Sequence, residues 1–272
     1  MPTNIKLDYF IMKIVAGMQV FEEEDFIRET LISLLTFCDH VVVVEGCWRN
    51  TESVTGCARS RDKTIQFIKD IMENHDPSGK IELHFFNGDN QRAHRIHALS
   101  ICSKFSPDWY LQADGDEIFH ENDVPKLVKL MKETKKTAIN PNHRLFWNDL
   151  EHYEQWRGSG RFFRLTGLSY SRLNYLGCNC YGYGGDTNYF RGDNMDVPLD
   201  INIYHPSYVK NFERQRVKWA HRSMDDRSKF PHVLDDRLKM VYRAKAKSAD
   251  EWQNMLETLP SEDLPKFFSV FH

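Results

Sequence analysis

Residues 109–119 constrain this chain most, because an apolar run there ends abruptly in acidic residues. The run Trp-Tyr-Leu-Gln-Ala predicts a buried strand, and Asp114, Asp116 and Glu117 follow it directly. An unpaired charge inside a buried strand is costly, whereas strand ends in α/β sheets are where such folds bind ligands. Asp114 and Asp116 share one face of a regular strand, and a turn at Gly115 would let both approach one divalent cation.

A second interpretation of this stretch stays open, because an Asp-x-Asp pair is common by chance. In that interpretation the acidic residues form a polar turn that caps a helix starting near Glu121. The two interpretations differ in whether the carboxylates are gathered into a site or are spread along a solvated turn.

The preceding chain alternates between strand and helix patterns, which predicts the fold class. Strands are predicted at 10–20, 41–44 and 81–86, with helices at 22–35, 62–71 and 96–101. This spacing predicts an α/β fold with a doubly wound, mostly parallel sheet and helices on both faces. Right-handed crossovers would bring the acid-bearing strand ends to one edge of that sheet.

The second half has a different texture, rich in aromatic residues, glycine and arginine. Shorter strands are predicted at 138–139, 161–165 and 201–205, and a loop is predicted at 182–186. Helices are predicted at 124–131, from Val209 onward and at 244–256. We therefore expect a nucleotide-sugar-binding half at 1–135, a smaller acceptor-binding and catalytic region at 136–210, and a helical extension at 211–272.

Composition excludes several classes of protein. A net charge of −3 over 272 residues gives little support to a nucleic-acid or anionic-membrane partner. No apolar run approaches the length of a membrane span, and the first residues lack a signal-peptide pattern, so a cytoplasmic protein is expected. The six cysteines are scattered without zinc-site spacing, which favours reduced thiols.

Five motifs in order resemble the family 2 type of nucleotide-sugar glycosyltransferase, which has the fold called GT-A. The matching segments are Val15–Glu24, Val41–Glu45, Ser60–Thr64, Arg95 and Asp108–Glu117. A later segment, Ile203–Lys210, resembles the His-aromatic segment of some family members. The chain departs from the family in having Glu45 where Asp is usual, in a longer loop before Ser60, and in lacking a clear His-Glu pair near 177–180.

The resemblance implies a metal-dependent glycosyltransferase that moves a sugar from a nucleotide-sugar donor, expected to be a UDP-sugar, to an acceptor hydroxyl on a glycan or other molecule. It implies Mn²⁺ or Mg²⁺ as the cofactor, and the metal residues would be Asp114, Asp116 and His205. The residues expected to contact the nucleotide sugar are Val20, Glu45, Asp62, Arg95, Asp114 and Lys210.

Each of these side chains also has an ordinary structural interpretation. Asp62 is a suitable helix cap, and Arg95 and Lys210 would fit solvated helix faces. His205 would fit a hydrogen-bonded histidine at a strand end. Glu45 is an acid at a strand end, where nucleotide-binding α/β sheets hold the ribose.

An inverting reaction needs a carboxylate to remove the proton of the acceptor. Asp186, after the Gly-rich loop, is the expected base, with Asp193 and Glu151 as the alternatives. Trp147 and Trp156 are candidates for stacking on sugar rings, although large aromatic side chains are more often part of a core.

Two rival functions remain. Nucleotidyltransferases also pair carboxylates with a metal, but they usually have a Gly-rich basic loop after the first strand, and residues 16–21 contain no such loop. A non-catalytic nucleotide-binding or carbohydrate-binding protein on the same scaffold is the third hypothesis. Metal-dependent turnover of a donor would separate the three.

Overall fold

The computed structural model describes residues 12–48, 52, 56–157, 160–165, 194–198, 200–210, 232–234, 240–242, 253–260 and 263–266. The helices are α1 (Ile27–Leu35), α2 (Thr64–Asn74), α3 (Gln91–Cys102) and α4 (Val124–Glu133). The strands of the first half are β1 (Ile14–Val20), β2 (His40–Glu45), β3 (Ile81–Phe85), β4 (Trp109–Asp114) and β5 (Ile118–Phe119). Those that follow are β6 (Ala138–Asn140), β7 (Asn142–Trp147), β8 (His152–Arg157), β9 (Phe162–Arg164), β10 (Asn194–Asp196), β11 (Asn202–Tyr208), β12 (His232–Leu234), β13 (Met240–Tyr242) and β14 (Glu257–Thr258).

The main sheet has seven strands in the order β10-β6-β9-β4-β1-β2-β3. The strands β4, β1, β2 and β3 run parallel, and β10 is parallel to β6. The strand β9 is antiparallel to both of its neighbours. This arrangement confirms the predicted α/β class with a mostly parallel sheet, and it places the carboxyl ends of β1, β2 and β4 on one edge.

Helices cover both faces of the main sheet, as the sequence predicts. On one face, Met18, Val43 and Leu111 pack in a core that also contains Leu31 of α1, Ile68 of α2 and Leu127 of α4. On the other face, Val15, Val42 and Tyr110 pack with Ala98 and Leu99 of α3. Alternate residues of each central strand therefore face different helices, which is why these strands are apolar without alternation.

A second sheet was not anticipated as such. It has five strands in the order β14-β8-β7-β11-β5. Its strands β7 and β8 form an antiparallel pair, and β11 lies parallel to β7 and antiparallel to β5. Since β5 follows the end of β4 after only a short turn, the acidic residues lie where the chain passes from the main sheet into the second sheet.

Two predicted boundaries are corrected. The acidic run Glu22–Asp25 was expected to open a helix, but α1 begins at Ile27 and Glu22 has a positive φ of 53°. The backbone N–H groups of Glu22 and Glu23 donate instead to the hydroxyls of Ser60 and Thr64, at 2.7 and 2.8 Å. These hydrogen bonds hold the acidic run as a turn against the loop before α2.

The capping interpretation of the Asp114–Glu117 stretch is also wrong. The helix α4 begins at Val124, and β5 separates it from the acidic residues. Three predicted elements lie wholly or largely outside the described residues: the loop at 182–186 and the helices from Val209 onward and at 244–256. Cys38, Cys47, Cys57 and Cys102 are free thiols. Within the described ranges, no helix has the length and apolarity to cross a membrane.

Candidate functional site

The site is built on the turn after β4. Asp114 ends that strand, and residues 115 and 116 turn the chain toward β5. A hydrogen bond holds this turn against α1, because Thr30 Oγ1 donates to the carbonyl oxygen of Gly115 at 3.1 Å. A side chain at Gly115 would meet Cγ of Glu23 at 3.1 Å, so the turn packs closely against the acidic run that precedes α1. Asp114 and Asp116 consequently face different sets of partners.

Asp114 is held between two buried arginines. Arg95 Nη2 of α3 donates to Oδ1 at 2.9 Å, and Arg161 Nη2 donates to Oδ2 at 3.0 Å. The side-chain amide of Gln112 faces the same pair, and with that amide flipped its oxygen would accept from Nη1 of both arginines. Burial by itself would raise the pKa of Asp114, but the two guanidinium groups outweigh it and hold that pKa below its ordinary value.

Asp116 faces the second sheet. Its Oδ1 lies 3.1 Å from His205 Nε2, and Ser207 Oγ donates to its Oδ2 at 3.2 Å. Lys210 Nζ lies 3.9 Å from Asp116 Oδ2 and also pairs with the carboxylate of Glu23. Because these side chains are buried or nearly so, Asp116 belongs to a compact polar cluster enclosed by the two sheets.

Glu117 connects the two aspartate environments. Its Oε2 accepts from the backbone N–H of Asp114 at 3.0 Å, and its Oε1 accepts from Arg161 Nη2 at 2.5 Å. His143 Nδ1 of β7 lies 3.8 Å from the same Oε1. Burial raises the pKa of Glu117, and the charge of Arg161 offsets only part of that rise. A further positive charge beside Glu117 would therefore stabilise its ionised form.

Glu117, His143 and His205 form a candidate metal-binding group. One ligand atom from each lies within 4.8 Å of the others, and all three side chains are buried. Burial, followed by the charges of Arg161 and His205, lowers the pKa of His143 well below its ordinary value, so its imidazole is neutral at neutral pH. A neutral imidazole is the form that binds a metal ion.

The remaining predicted nucleotide contacts lie at the neighbouring strand ends. The carbonyl oxygen of Val20 accepts from the N–H of Gly46 at 3.1 Å, which joins the ends of β1 and β2. Glu45 is buried and accepts from the N–H of Ser60 at 2.7 Å. Burial raises the pKa of Glu45, and its hydrogen bonds with Ser60 oppose that rise.

The contacts of Asp62, Arg95 and Lys210 test the structural interpretation of each side chain. Asp62 Oδ1 accepts from the N–H of Thr64 at 2.9 Å and Oδ2 accepts from the N–H of Glu24 at 3.1 Å, so Asp62 does support the start of α2. Arg95 and Lys210 are buried ion-paired side chains, so the solvated-face interpretation is wrong for both.

Of the candidate general bases and the two candidate sugar-stacking tryptophans, the structure describes Glu151, Trp147 and Trp156. Asp186 and Asp193 lie outside the described residues. Glu151 is exposed, in the turn after β7 and therefore beyond the opposite end of that strand from His143. Trp147 is buried and stacks on Tyr208 at 4.2 Å between ring centroids, so it belongs to the core. Trp156 is 36% exposed and lies 5.2 Å from the His143 ring, also between centroids.

Sequence reasoning did not assign roles to Glu117, His143, Arg161 and Ser207. Arg161 carried a usable signal, because an arginine beside Phe162 and Phe163 in a buried strand needs a carboxylate partner. Ser207 lies two residues from His205, on the same face of β11 by alternation. His143 carried no such signal, because its contact with Glu117 depends on the second sheet.

No protein-family model matches the chain, and no curated protein matches it at a significant level in sequence. Among solved structures, the chain is similar to S. aureus TarS 1–349 in complex with UDP-GlcNAc, with a TM-score of 0.48, 12% identity and coverage of 78% of this chain and 67% of that one. A second TarS 1–349 structure is covered over 66% of its length and the structure of TarS over 39%.

Two further solved structures have different activities in their names. The 4-diphosphocytidyl-2C-methyl-D-erythritol synthase of Anaerococcus prevotii matches with a TM-score of 0.46, 14% identity and coverage of 79% of this chain and 99% of that one. The glucosyl-3-phosphoglycerate synthase of Mycobacterium tuberculosis, in complex with Mn²⁺, UDP and phosphoglyceric acid, matches with a TM-score of 0.34, 15% identity and coverage of 50% and 43%.

Proposed function

We propose that this protein is a metal-dependent glycosyltransferase that uses a nucleotide-sugar donor, with a UDP-sugar as the first candidate. The observation that carries the proposal is the contact of Asp116 with His205, 3.1 Å apart although 89 residues separate them. Both residues were selected from sequence as metal ligands. Their contact lies at the carboxyl end of a parallel strand, where α/β sheets bind ligands.

The donor set fits a divalent cation. Asp116 supplies carboxylate oxygens and His205 an imidazole nitrogen. A cation bound here would act as a Lewis acid toward the departing nucleoside diphosphate. Ser207, donating to Asp116 and within 2.7 Å of His205 Nε2, holds both side chains in position.

The cationic side chains have a binding role in this proposal. Lys210 Nζ lies 3.9 Å from Asp116 Oδ2 and would attract the diphosphate. Arg95 and Arg161 are neutralised in part by Asp114, whose side chain is 19% exposed. Asp114 would thus reach the ribose, or a water molecule on the cation, while it keeps both arginines in place.

The strand ends beside Asp114 would hold the nucleoside. Val20 and Glu45 lie at the ends of β1 and β2, and Asp62 anchors the loop that connects them to α2. Glu45 would accept hydrogen bonds from the ribose or the base in the manner of acids at other nucleotide-binding strand ends. We keep Asp186 as the proposed general base, because Glu151 is exposed and lies at the far side of the β7–β8 pair.

The proposal is tested by thermal unfolding with a panel of nucleoside diphosphates, each with and without Mn²⁺. A ligand at one hundred times its dissociation constant stabilises the folded state by about 2.7 kcal/mol, which is readily measured. Stabilisation by UDP or another nucleoside diphosphate only in the presence of metal supports the proposal and identifies the nucleobase of the donor. Release of the nucleoside diphosphate from a donor and transfer of its sugar would then separate glycosyl transfer from nucleotidyl transfer, which releases pyrophosphate.

No stabilisation by any nucleotide, with or without metal, would contradict the proposal. Metal-dependent stabilisation without release of either a nucleoside diphosphate or pyrophosphate would instead support the non-catalytic binding protein. The experiment therefore distinguishes the three functions that the sequence leaves open.

A further inference from the structure

We propose that Glu117 and His143, together with His205, are ligands of the cation in this site, and that the resulting two-imidazole donor set selects a transition metal over Mg²⁺. The inference deepens the proposed function, because it concerns the ion of that same site. It adds two residues that lie outside the Asp114-x-Asp116 motif. The ligand atoms of the three residues already lie within 4.8 Å of one another.

His143 has the character of a ligand rather than of a core residue. Its side chain is fully buried, and neither ring nitrogen has a hydrogen-bond partner among the described residues. Leaving a buried polar group unpaired is costly, so buried histidines normally acquire a partner. Glu117 Oε1 lies 3.8 Å from Nδ1, which is too far for a hydrogen bond. A metal ion bound between the two side chains would give the imidazole of His143 a partner.

Surrounding charges also favour a cation. Among the described residues of this network, the carboxylates of Glu23, Asp114, Asp116 and Glu117 face three fixed positive charges, on Arg95, Arg161 and Lys210. In this network the acidic side chains thus outnumber the arginine and lysine side chains, which favours a cation over an anion as the ligand.

The chemistry of the donors sets the preference among metals. Mg²⁺ favours oxygen ligands and retains several waters, whereas imidazole suits Fe²⁺, Ni²⁺, Cu²⁺ and Zn²⁺, and Co²⁺ lies between Fe²⁺ and Ni²⁺ in affinity. A site that combines two imidazoles with the carboxylates of Asp116 and Glu117 should therefore bind Co²⁺ or Zn²⁺ in the presence of a large excess of Mg²⁺. A site that used Asp116 and His205 alone would discriminate much less.

Binding requires a small contraction of the group. Ligands about 2.0 Å from a tetrahedral ion lie roughly 3.3 Å apart, so the present spacing of up to 4.8 Å must shorten. Arg161 can remain on Asp114 Oδ2 while the ion replaces its contact with Glu117 Oε1.

The test uses Co²⁺, whose visible absorption reports its ligands, with no nucleotide present. We expect the wild-type protein to bind one Co²⁺ that a hundredfold excess of Mg²⁺ does not displace. His143→Gln should raise the dissociation constant for Co²⁺ at least about 100-fold, since even an outer-shell partner of a ligand costs 10–100-fold when lost. His84→Gln is the matched control, because His84 also faces a carboxylate, Glu82 Oε2 at 3.0 Å, but lies on β3. This control should bind Co²⁺ like the wild type.

Unchanged Co²⁺ affinity and spectrum in a folded His143→Gln protein would overturn the inference. X-ray absorption on the Co²⁺-loaded wild-type protein provides a second measurement that needs no variant: two imidazole ligands are expected, and a single one would assign the ion to Asp116 and His205 alone. Stabilisation by a nucleoside diphosphate with Mg²⁺ but no Co²⁺ binding would also overturn it while the proposed function stood. Tight Co²⁺ binding without any nucleotide binding would support this inference and contradict the proposed function.

Discussion

His205 Nε2 lies 3.1 Å from Asp116 Oδ1, although the two residues come from different sheets and are 89 positions apart. Asp116 lies in the turn after β4, and His205 lies on β11. The pairing of β11 with β5, which aligns Ile203 with Phe119, fixes the two side chains relative to each other. The contact therefore depends on the junction of the two sheets. Substitution of Asp116 or His205 should weaken ligand binding more than it destabilises the fold.

The first prediction concerns Asp116. We expect Asp116→Asn to abolish metal-dependent stabilisation by a nucleoside diphosphate and to reduce sugar transfer at least about 100-fold, because a bound cation contributes several kcal/mol of charge stabilisation. Donor turnover and thermal unfolding measure the two effects. Asp70→Asn is the control, since Asp70 is a half-exposed helix residue that pairs with Arg28 at 3.6 Å. A fully active Asp116→Asn protein would remove Asp116 from the metal site.

The second prediction concerns the general base. If Asp186 accepts the proton of the acceptor, Asp186→Asn should lower the rate of transfer by 10²–10⁴-fold, the usual contribution of acid–base catalysis. Nucleoside diphosphate binding should stay at the wild-type level. Glu151→Gln is the comparison, because that exposed side chain lies beyond the far end of β7 and should leave the rate unchanged. Equal rates in the wild type and Asp186→Asn would exclude Asp186 as the base.

The main sheet could be predicted because its information is local. The apolar run 41–44 and the stretch 109–114 are buried on both faces of a parallel sheet, and the helical periods between strands gave the order of elements. Asp116 could be selected partly for the same reason, since it directly follows a recognisable strand, whereas the selection of His205 depended on the family resemblance. Helix starts were less accurate: Glu22–Asp25 looks like a helical first turn, but hydrogen bonds to Ser60 and Thr64 hold it as a turn.

The second sheet could not be predicted from local patterns. Its strands are 2 to 7 residues long and pair over long separations, as in the match of Glu257 with Tyr153. The roles of His143 and Arg161 follow from that pairing and not from their neighbours in sequence. A buried arginine predicts a carboxylate partner, but it does not say which one, and here Arg161 contacts both Asp114 and Glu117.

The third prediction follows from that shared contact. Arg161→Met should destabilise the protein by about 3–5 kcal/mol, because it leaves the buried carboxylate of Glu117 without its cation and leaves Asp114 with Arg95 alone. Urea unfolding measures the loss. Arg61→Met should cost no more than about 1 kcal/mol, since Arg61 pairs with Glu22 at 3.3 Å in an exposed position. Adding Glu117→Gln to Arg161→Met should restore part of the stability. A cost for Arg161→Met equal to that of Arg61→Met would contradict the buried network.

The fourth prediction is a pH dependence that originates away from the site. Burial raises the pKa of Glu29 on α1 from 4.5 to about 7. Between these two values the folded state holds a proton that the unfolded state has released, so stability should fall as pH rises through the window. The total change is at most about 3 kcal/mol. Glu29→Gln should remove this component, giving a variant that gains on the wild type between pH 5 and pH 8 in urea unfolding. Identical pH profiles for the two proteins would contradict the raised pKa.

The fifth prediction tests how closely β2 and β3 approach at the edge that carries Glu45. Gly46 has a φ of +146°, and a Cβ there would overlap the carbonyl oxygen of Phe86. Gly79 also has a positive φ, +63°, but a Cβ there would meet nothing within 4 Å. Gly79→Ala should therefore cost only the backbone strain of about 1–2 kcal/mol, whereas Gly46→Ala should cost about 3 kcal/mol or more, because steric overlap is added. Urea unfolding of both variants measures the difference, and equal losses would show that the strand ends separate without cost.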